Sequence, residues 1–342
     1  MRRSRNHHLL QAVLLVFLGG VGSEVQAAKL IDVSVLDKDY LIIHFSDGEV
    51  IHNEGVGETV TRYDPELDTS AAVQTGNWTI SSIEDANYGV AGKHPQNCYR
   101  KKKLSGHAQM EWSGSDYRYE YTYEHWIYLR LPNSLQQGMT YTLEIGSATN
   151  SDTAAESFTF DIYNTRSEAI HVNLVGYAPD ATHKAADLYY WLGNGGARSY
   201  SSFEGNAVYV YNVSTGVSQP VGLVSFWKVS GDDVFTYNLT RSDVWNVDFS
   251  EFTDTGTYRL VVQGVGCSQD FKIANDVYAD PFKVAVRGYF YMRIGEQNPT
   301  GISPPPRTPL YIPGVSPAST TVFLTTMQPW HPNWDTFSSG DV

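Results

Sequence analysis

Between Tyr117 and Leu131 the chain alternates without a break. Tyr117, Tyr119, Tyr121, Tyr123, His125, Ile127, Leu129 and Leu131 fall on one parity, and Arg118, Glu120, Thr122, Glu124, Trp126, Tyr128 and Arg130 on the other. Successive side chains of a strand point to opposite faces, whereas a helix would scatter these rings around its circumference. The stretch therefore reads as one long strand, and a strand needs neighbours to pair with. Its tyrosine face admits two readings. Exposed, coplanar rings could stack sugar rings; buried ones would pack a sheet. The same face runs into Ile127, Leu129 and Leu131, which favours packing.

The flanking sequence supplies the neighbours. Residues 32–36 and 40–45 read as strands split by Asp37, Lys38 and Asp39, and residues 46–49 as a hairpin turn. Residues 53–109 carry few periodic segments and read as extended loops around short strands. Residues 140–145 and 158–162 complete a first β-sandwich, expected over 29–165. After a short linker at 166–168, residues 170–175, 207–213, 221–229, 245–250, 255–262 and 267–273 give further strands at regular spacing. They predict a second, immunoglobulin-like sandwich over 169–274. From there the period changes. Val277, Phe282, Ala285, Val286, Tyr289, Phe290 and Arg293 fall at helical spacing, with Pro281 suited to a first turn and Gly295 to a stop. A helix is expected over about 281–293. Residues beyond it are Pro-rich and irregular, so the chain either ends in a linker or stops inside a further domain.

Composition narrows the partners. The 342-residue chain is 42% hydrophobic, 18% charged and carries a formal net charge of −13. A strongly acidic chain without a basic patch argues against nucleic acid and against anionic membrane surfaces. The one basic run, 100–103, reads as a solvated loop. Residues 1–27 have the form of a secretory signal: Arg2, Arg3 and Arg5 ahead of an apolar run at 9–18 too short to span a bilayer, and small residues near Ala27. The mature protein is expected to be secreted or periplasmic, with no membrane segment. Export would let Cys98 and Cys267 pair, but they fall in different expected domains, and two separate thiols are the preferred reading. No dense ligand motif is present, so no metal site is expected.

One set of segments is more specific. V-N-L-V-G-Y-A-P at 172–179 with K-A-A at 184–186 is followed by D-F-S-E-F-T-D-T-G-T-Y-R-L-V-V at 248–262, C-S-Q-D-F-K-I at 267–273 and A-V-R-G-Y-F-Y-M-R-I-G at 285–295. In that order they resemble family 9 glycoside hydrolases of the cellulase type, whose N-terminal immunoglobulin-like domain precedes an (α/α)6 catalytic barrel. The last segment is similar to the barrel's first helix, so 275–342 would be the start of a truncated barrel. Residues 29–165 resemble the extra β-domain of some bacterial members.

The resemblance implies inverting hydrolysis of a β-glucan such as cellulose, with an Asp general base in a D-A-x-D motif and a Glu general acid near the barrel's end. No D-A-x-D occurs here. Asp85-Ala86-Asn87-Tyr88 and Asp180-Ala181-Thr182-His183 fail at the fourth position. No residue is therefore assigned a catalytic, cofactor-binding or metal-ligating role, and no cofactor is expected. His331, near the family's catalytic approach, is the one candidate for a substrate cleft. Two functions follow: the N-terminal part of a secreted endoglucanase, inactive alone, or a non-catalytic exported sandwich protein that binds polysaccharide or a partner domain.

Overall fold

A computed structural model describes residues 27–53, 57–63, 66–112, 114, 117–231 and 240–292. His331 and the rest of the Pro-rich tail lie outside the described residues, as do residues 1–26, where a signal was expected. The described chain is mostly β, as the alternation requires. It divides into two compact units. The first is Met1–Ser167 with Tyr190–Arg198 and Thr240–Ser242; the second is Glu168–Tyr189, Ser199–Leu239 and Asp243–Val342.

The first unit contains β1 (Lys29–Asp37), β2 (Tyr40–Ser46), β3 (Gly48–Asn53), β4 (Gly57–Tyr63), the one-turn helix α1 (Thr69–Ala72), β5 (Trp78–Ser81), β6 (Asn97–Trp112), β7 (Tyr117–Arg130), β8 (Thr140–Ile145) and β9 (Ala155–Thr159). A four-stranded sheet runs β1-β2-β7-β6, a second runs β5-β8-β9, and β3-β4 form a hairpin. The tyrosine strand is β7, antiparallel to β2 on one side and to β6 on the other. Phe45 of β2 meets Trp78 of β5 at 6.5 Å between ring centroids, which places the core between the two sheets. Tyr40, Leu41, Ile42 and Ile43 are all buried, so β2 is covered on both faces there.

The second cover comes from far along the sequence. Tyr190 packs edge-on against Tyr128, with ring centroids 5.8 Å apart. A Cβ on Gly195 would strike the Tyr99 ring, and one on Gly193, which has a φ of +63°, would strike the Arg100 carbonyl. Only glycine lets the two backbones approach so closely. Arg198 closes the segment. Its guanidinium reaches Asp37 at 2.9 Å and Asp39 at 3.0 Å and lies over the Tyr40 ring. Asp37 is fully buried, and burial pushes its carboxyl above the ordinary carboxylate range against the pull of Arg198.

Two local expectations are corrected. Residues 53–109 are not mainly loop, because they hold β4, β5 and most of the 16-residue β6. The basic run 100–103 lies in the middle of β6, not in a loop. Three consecutive lysines carry no apolar alternation to announce a strand. The pairing with β7 supplies what the local sequence lacks, and β6 is a sheet edge, where lysine is the usual guard against edge-to-edge association.

The second unit is the immunoglobulin-like sandwich: β10 (Ile170–His171), β11 (Ala185–Leu188), β12 (Ala207–Asn212), β13 (Ser218–Leu223), β14 (Ser225–Lys228), β15 (Val244–Asp248), β16 (Gly256–Val262), β17 (Gly266–Cys267), β18 (Phe271–Ile273) and the helix α2 (Ala279–Met292). One sheet runs β10-β11-β15-β14 and the other β13-β12-β16-β17, with β18 also paired to β16. Buried Tyr177, Phe249, Tyr258 and Phe271 fill the space between them. The strand expected over 170–175 stops at His171, because Asn173 and Gly176 turn the chain. Gly176 has a φ of +108°, and a Cβ there would meet the Lys272 carbonyl and Val277. Along α2 the described side chains from Pro281 to Tyr289 are exposed, including Phe282, Val284, Val286 and Tyr289.

Candidate functional site

In the second unit the segments that resemble the hydrolase family form a lock. The Tyr177 hydroxyl donates to the Ala185 carbonyl at 2.8 Å and accepts from the Asn173 amide at 3.0 Å. The Asn173 side chain bridges the turn, donating to the Gly176 carbonyl and accepting from the Val175 amide. Above this turn the Tyr177 ring makes edge contacts with Phe249 and Phe271, at 5.1 and 5.4 Å. Lys184 is fully buried, and its ammonium donates to the carbonyls of Pro179 and Ala181, each at 3.0 Å. A buried cation held by carbonyl dipoles fixes the loop between them. The Asn173, Tyr177 and Lys184 side chains are all used in bonds inside the motif, so their chemistry is structural.

Trp191, Trp227 and Trp245 differ in burial and surroundings. Trp245 is buried and donates to Glu204 at 2.8 Å, Trp227 is 58% exposed on β14, and Trp191 belongs to the first unit. Neither Cys98 nor Cys267 is in a disulfide. Burial pushes the Cys98 thiol up to about 12, so it stays protonated at neutral pH and is a poor nucleophile.

The near-miss acids have other work. Asp85 is buried, taking the Tyr141 hydroxyl at 2.8 Å and the Asn87 amide at 2.9 Å. Asp180 lies exposed beside the lysine lock. Among the described residues no group of three or more His, Cys, Asp or Glu is placed to hold a metal ion.

The first unit carries the more open chemistry, on the two faces of β7. On one face Trp126 is clamped between two neighbours. The His44 ring stacks on it at 4.5 Å with an interplanar angle of 11°, and the Lys101 ammonium lies 4.4 Å from its centroid. An indole enclosed in this way has no free face for a sugar. Beside it opens a cleft of about 320 Å³ lined by Lys29, His44, Ser46, Glu49, Thr122 and Glu124, among others. His44 Nε2 lies 3.3 Å from Glu124. The hydroxyls are committed elsewhere, Ser46 to the Gly48 carbonyl and Ser105 to Thr122. The cleft thus offers hydrogen bonds and charge, with no nucleophile bonded to its histidine.

On the other face His125 Nε2 bonds Asp47 at 2.7 Å, both residues buried, and Asp47 also accepts from the Leu67 amide. The pair has the form of a catalytic His–Asp couple, but the outer nitrogen, His125 Nδ1, is buried with no hydrogen-bond partner. No hydroxyl completes a triad, and the couple ties the turn before β3 to β7. Farther along this face the strand leaves the core. Ile127 and Leu129 are buried, while Tyr119 is 41% and Tyr121 47% exposed. The tyrosine row therefore divides: packing at one end, open rings at the other.

Comparison with known proteins agrees with the second unit. Residues 165–267 match the cellulase N-terminal ig-like domain. Endoglucanase D of Acetivibrio thermocellus is 40% identical over 80 residues, which are 21% of this chain and 13% of that protein. The chain thus matches only a small part of that relative's length. Among solved structures, a metagenome-derived glycoside hydrolase family 9 endoglucanase is 26% identical with a TM-score of 0.28, covering 38% of this chain and 22% of the other. A Bacteroides ovatus GH9 protein is 21% identical with the same TM-score, covering 38% and 20%. Likeness at such TM-scores carries no weight. The sequence match does, and residues 165–267 are similar to the N-terminal ig-like domain of cellulases.

Proposed function

We propose that this chain is the N-terminal, accessory region of a secreted family 9 glycoside hydrolase that degrades β-glucan. The observation that carries this is the match of 165–267 to the cellulase ig-like domain, together with 40% identity to part of Endoglucanase D. Export is supported by the arginine-rich start and short apolar run of residues 1–27. The second unit serves as a folding support. Its Asn173, Tyr177 and Lys184 bond within the motif, and the Tyr177 ring joins the ring cluster. The region is proposed to be non-catalytic by itself. Asp85 is used in a hydrogen-bond network, and the D-A-x-D segment the family needs is absent from the sequence.

The test has two parts. Purified chain is assayed on carboxymethyl cellulose and mixed-linkage β-glucan, where no turnover is expected. The native gene product in its source is then sized and sequenced. A longer hydrolase bearing a D-A-x-D segment after this region supports the proposal. Turnover by the chain itself that a single Asp or Glu substitution abolishes overturns the accessory role. A native product without any hydrolase segment overturns the enzymatic one.

A further inference from the structure

The open end of the tyrosine row exposes aromatic side chains on one face of β7. On β7, Tyr119, Tyr121 and Tyr123 share one face, and residues two apart on a strand stand about 7 Å from each other. Across the ladder His107 pairs with Tyr121 and Leu104 with Tyr123. Tyr119, Tyr121 and Leu104 are each between 41% and 47% exposed, and Lys102 and His107 are exposed beside them. The Lys102 ammonium sits 3.5 Å over the Tyr123 ring, and His107 lies 6.4 Å from Tyr119. These six residues include no carboxylate, although the chain as a whole has a net charge of −13.

We propose that this strip is a binding face for a β-linked glucan chain, so that the first unit, and not the ig-like module, holds the polysaccharide. The proposal deepens the function proposed above and rests on it for the choice of glucan. Its geometry stands on the strip. A tyrosine offers a rigid apolar face with a polar tip, which matches a pyranose that shows C–H groups on its face and hydroxyls at its rim. Lys102, His107 and the phenols supply donors around the rings. Shape selects the occupant. A stable protein partner needs about 800 Å² and some 20–30 residues on each side, and this strip is two strands wide and six residues in extent. A narrow, nearly flat strip suits a narrow, extended chain.

The experiment is native affinity electrophoresis of the whole chain in gels containing barley mixed-linkage β-glucan, with dextran gels as the α-linked control. Retardation by β-glucan and not by dextran is expected. Replacing both rings, Y119A with Y121A, should weaken the apparent affinity about tenfold or more, the scale of two lost ring contacts. Y119F with Y121F, which keeps both rings, should retain most of it. Unchanged hydrogen exchange in β2 and β8 shows that the alanine variant is folded; if it is not, the phenylalanine variant alongside Y121A alone decides. The inference is overturned by absence of retardation, by equal retardation in dextran, or by loss in W227A with Y119A/Y121A unaffected. Each of those results leaves the hydrolase lineage standing, because that is tested on the native gene product.

Discussion

The two units solve the problem of a stable interior differently. In the first, distant segments are tied by polar pairs: the Arg198 guanidinium to Asp37 and Asp39, and the His125 ring to Asp47. In the second, the interior is a cluster of rings. Phe271 lies 5.4 Å from Tyr177, 5.7 Å from Phe249 and 6.5 Å from Tyr258, and Phe252 meets Tyr258 edge-on at 5.1 Å. A ring cluster is non-directional and loses stability in proportion to what is removed. A buried ion pair is directional, and removing one partner leaves the other as an unpaired charge in a poorly solvating place. The first unit should therefore be the more sensitive to single changes of charge, pH and salt, and the second to changes of volume.

The largest effects test this contrast directly. Arg198→Ala should destabilise the first unit by about 3–5 kcal/mol, because Asp37 keeps its burial and loses its counter-charge. Slow hydrogen exchange at the β1 and β2 amides of the whole chain reads this without cutting the protein. The loss should shrink as the pH falls toward 4. Asp37 is already raised, so its folded form favours the proton; stability tied to that proton is full below the ordinary carboxylate value and fades as pH rises through the folded one. Asp37→Asn combined with Arg198→Met should recover much of the loss, since no charge is then stranded. Phe271→Ala is the counterpart. It should cost the second unit about 3–5 kcal/mol, read at β16 and β18, with no dependence on salt or on pH near 4. If the two variants respond alike to pH and salt, the contrast fails.

A smaller effect comes from Lys184, the one charged side chain fully buried among the described residues of the second unit. Lys184→Met keeps the length of the side chain and removes the ammonium, leaving the Pro179 and Ala181 carbonyls without that donor. Orphaned buried acceptors cost about 1–3 kcal/mol. The loss should appear as faster exchange at Tyr177 and Ala185 and as a lower melting temperature. A neutral or stabilising result would mean that this lysine is tolerated, not required, and would leave the Arg259–Asp270 pair as the partly buried charge contact of the second unit.

How far the sequence announced all this follows the same division. The second unit was legible because its motifs are local. Asn173, Gly176 and Tyr177 lie within five residues and bond to one another, and β12, β15 and β16 are apolar runs set between turns, β12 with alternating burial. The helix was legible from its period, to within a residue or two of its ends. The first unit was legible only where a single strand carried its own pattern, as β7 and β8 do. Its edge strand β6 has three lysines in a row, and its lid comes from 190–198, more than 150 residues after the aspartates that Arg198 clasps. Nothing local marks such a pairing. The divided role of the tyrosine row was hidden for the same reason: periodicity tells which face a residue is on, and only the partner elements tell where that face leaves the core.

The smallest expected effect marks the boundary of the contrast, since it places a titrating group in the unit said to ignore charge. His171 on β10 stacks on Tyr189 at 4.1 Å and shares a 3.2 Å hydrogen bond with the Tyr189 carbonyl. Burial lowers its pKa, opposed by that carbonyl and by Asp187 and Glu168. A base whose folded pKa is depressed favours the neutral form in the folded state. Its contribution is therefore complete above the ordinary histidine value of about 6.5 and is lost as pH falls through the lowered one. The second unit should weaken across that window with a slope of at most about 1.4 kcal/mol per pH unit, the limit for one proton. His171→Phe keeps the stack and removes the titration. It should flatten the slope at the cost of one hydrogen bond, about 1 kcal/mol at neutral pH. Exchange at the β10 and β11 amides between pH 5 and 7.5 decides the matter, because Asp248, also in this unit, is lowered from the carboxylate range and titrates well below it. A slope that survives in His171→Phe would assign the pH response to another group, and a flat profile in the unaltered chain would show that the second unit is as indifferent to charge as its ring cluster suggests.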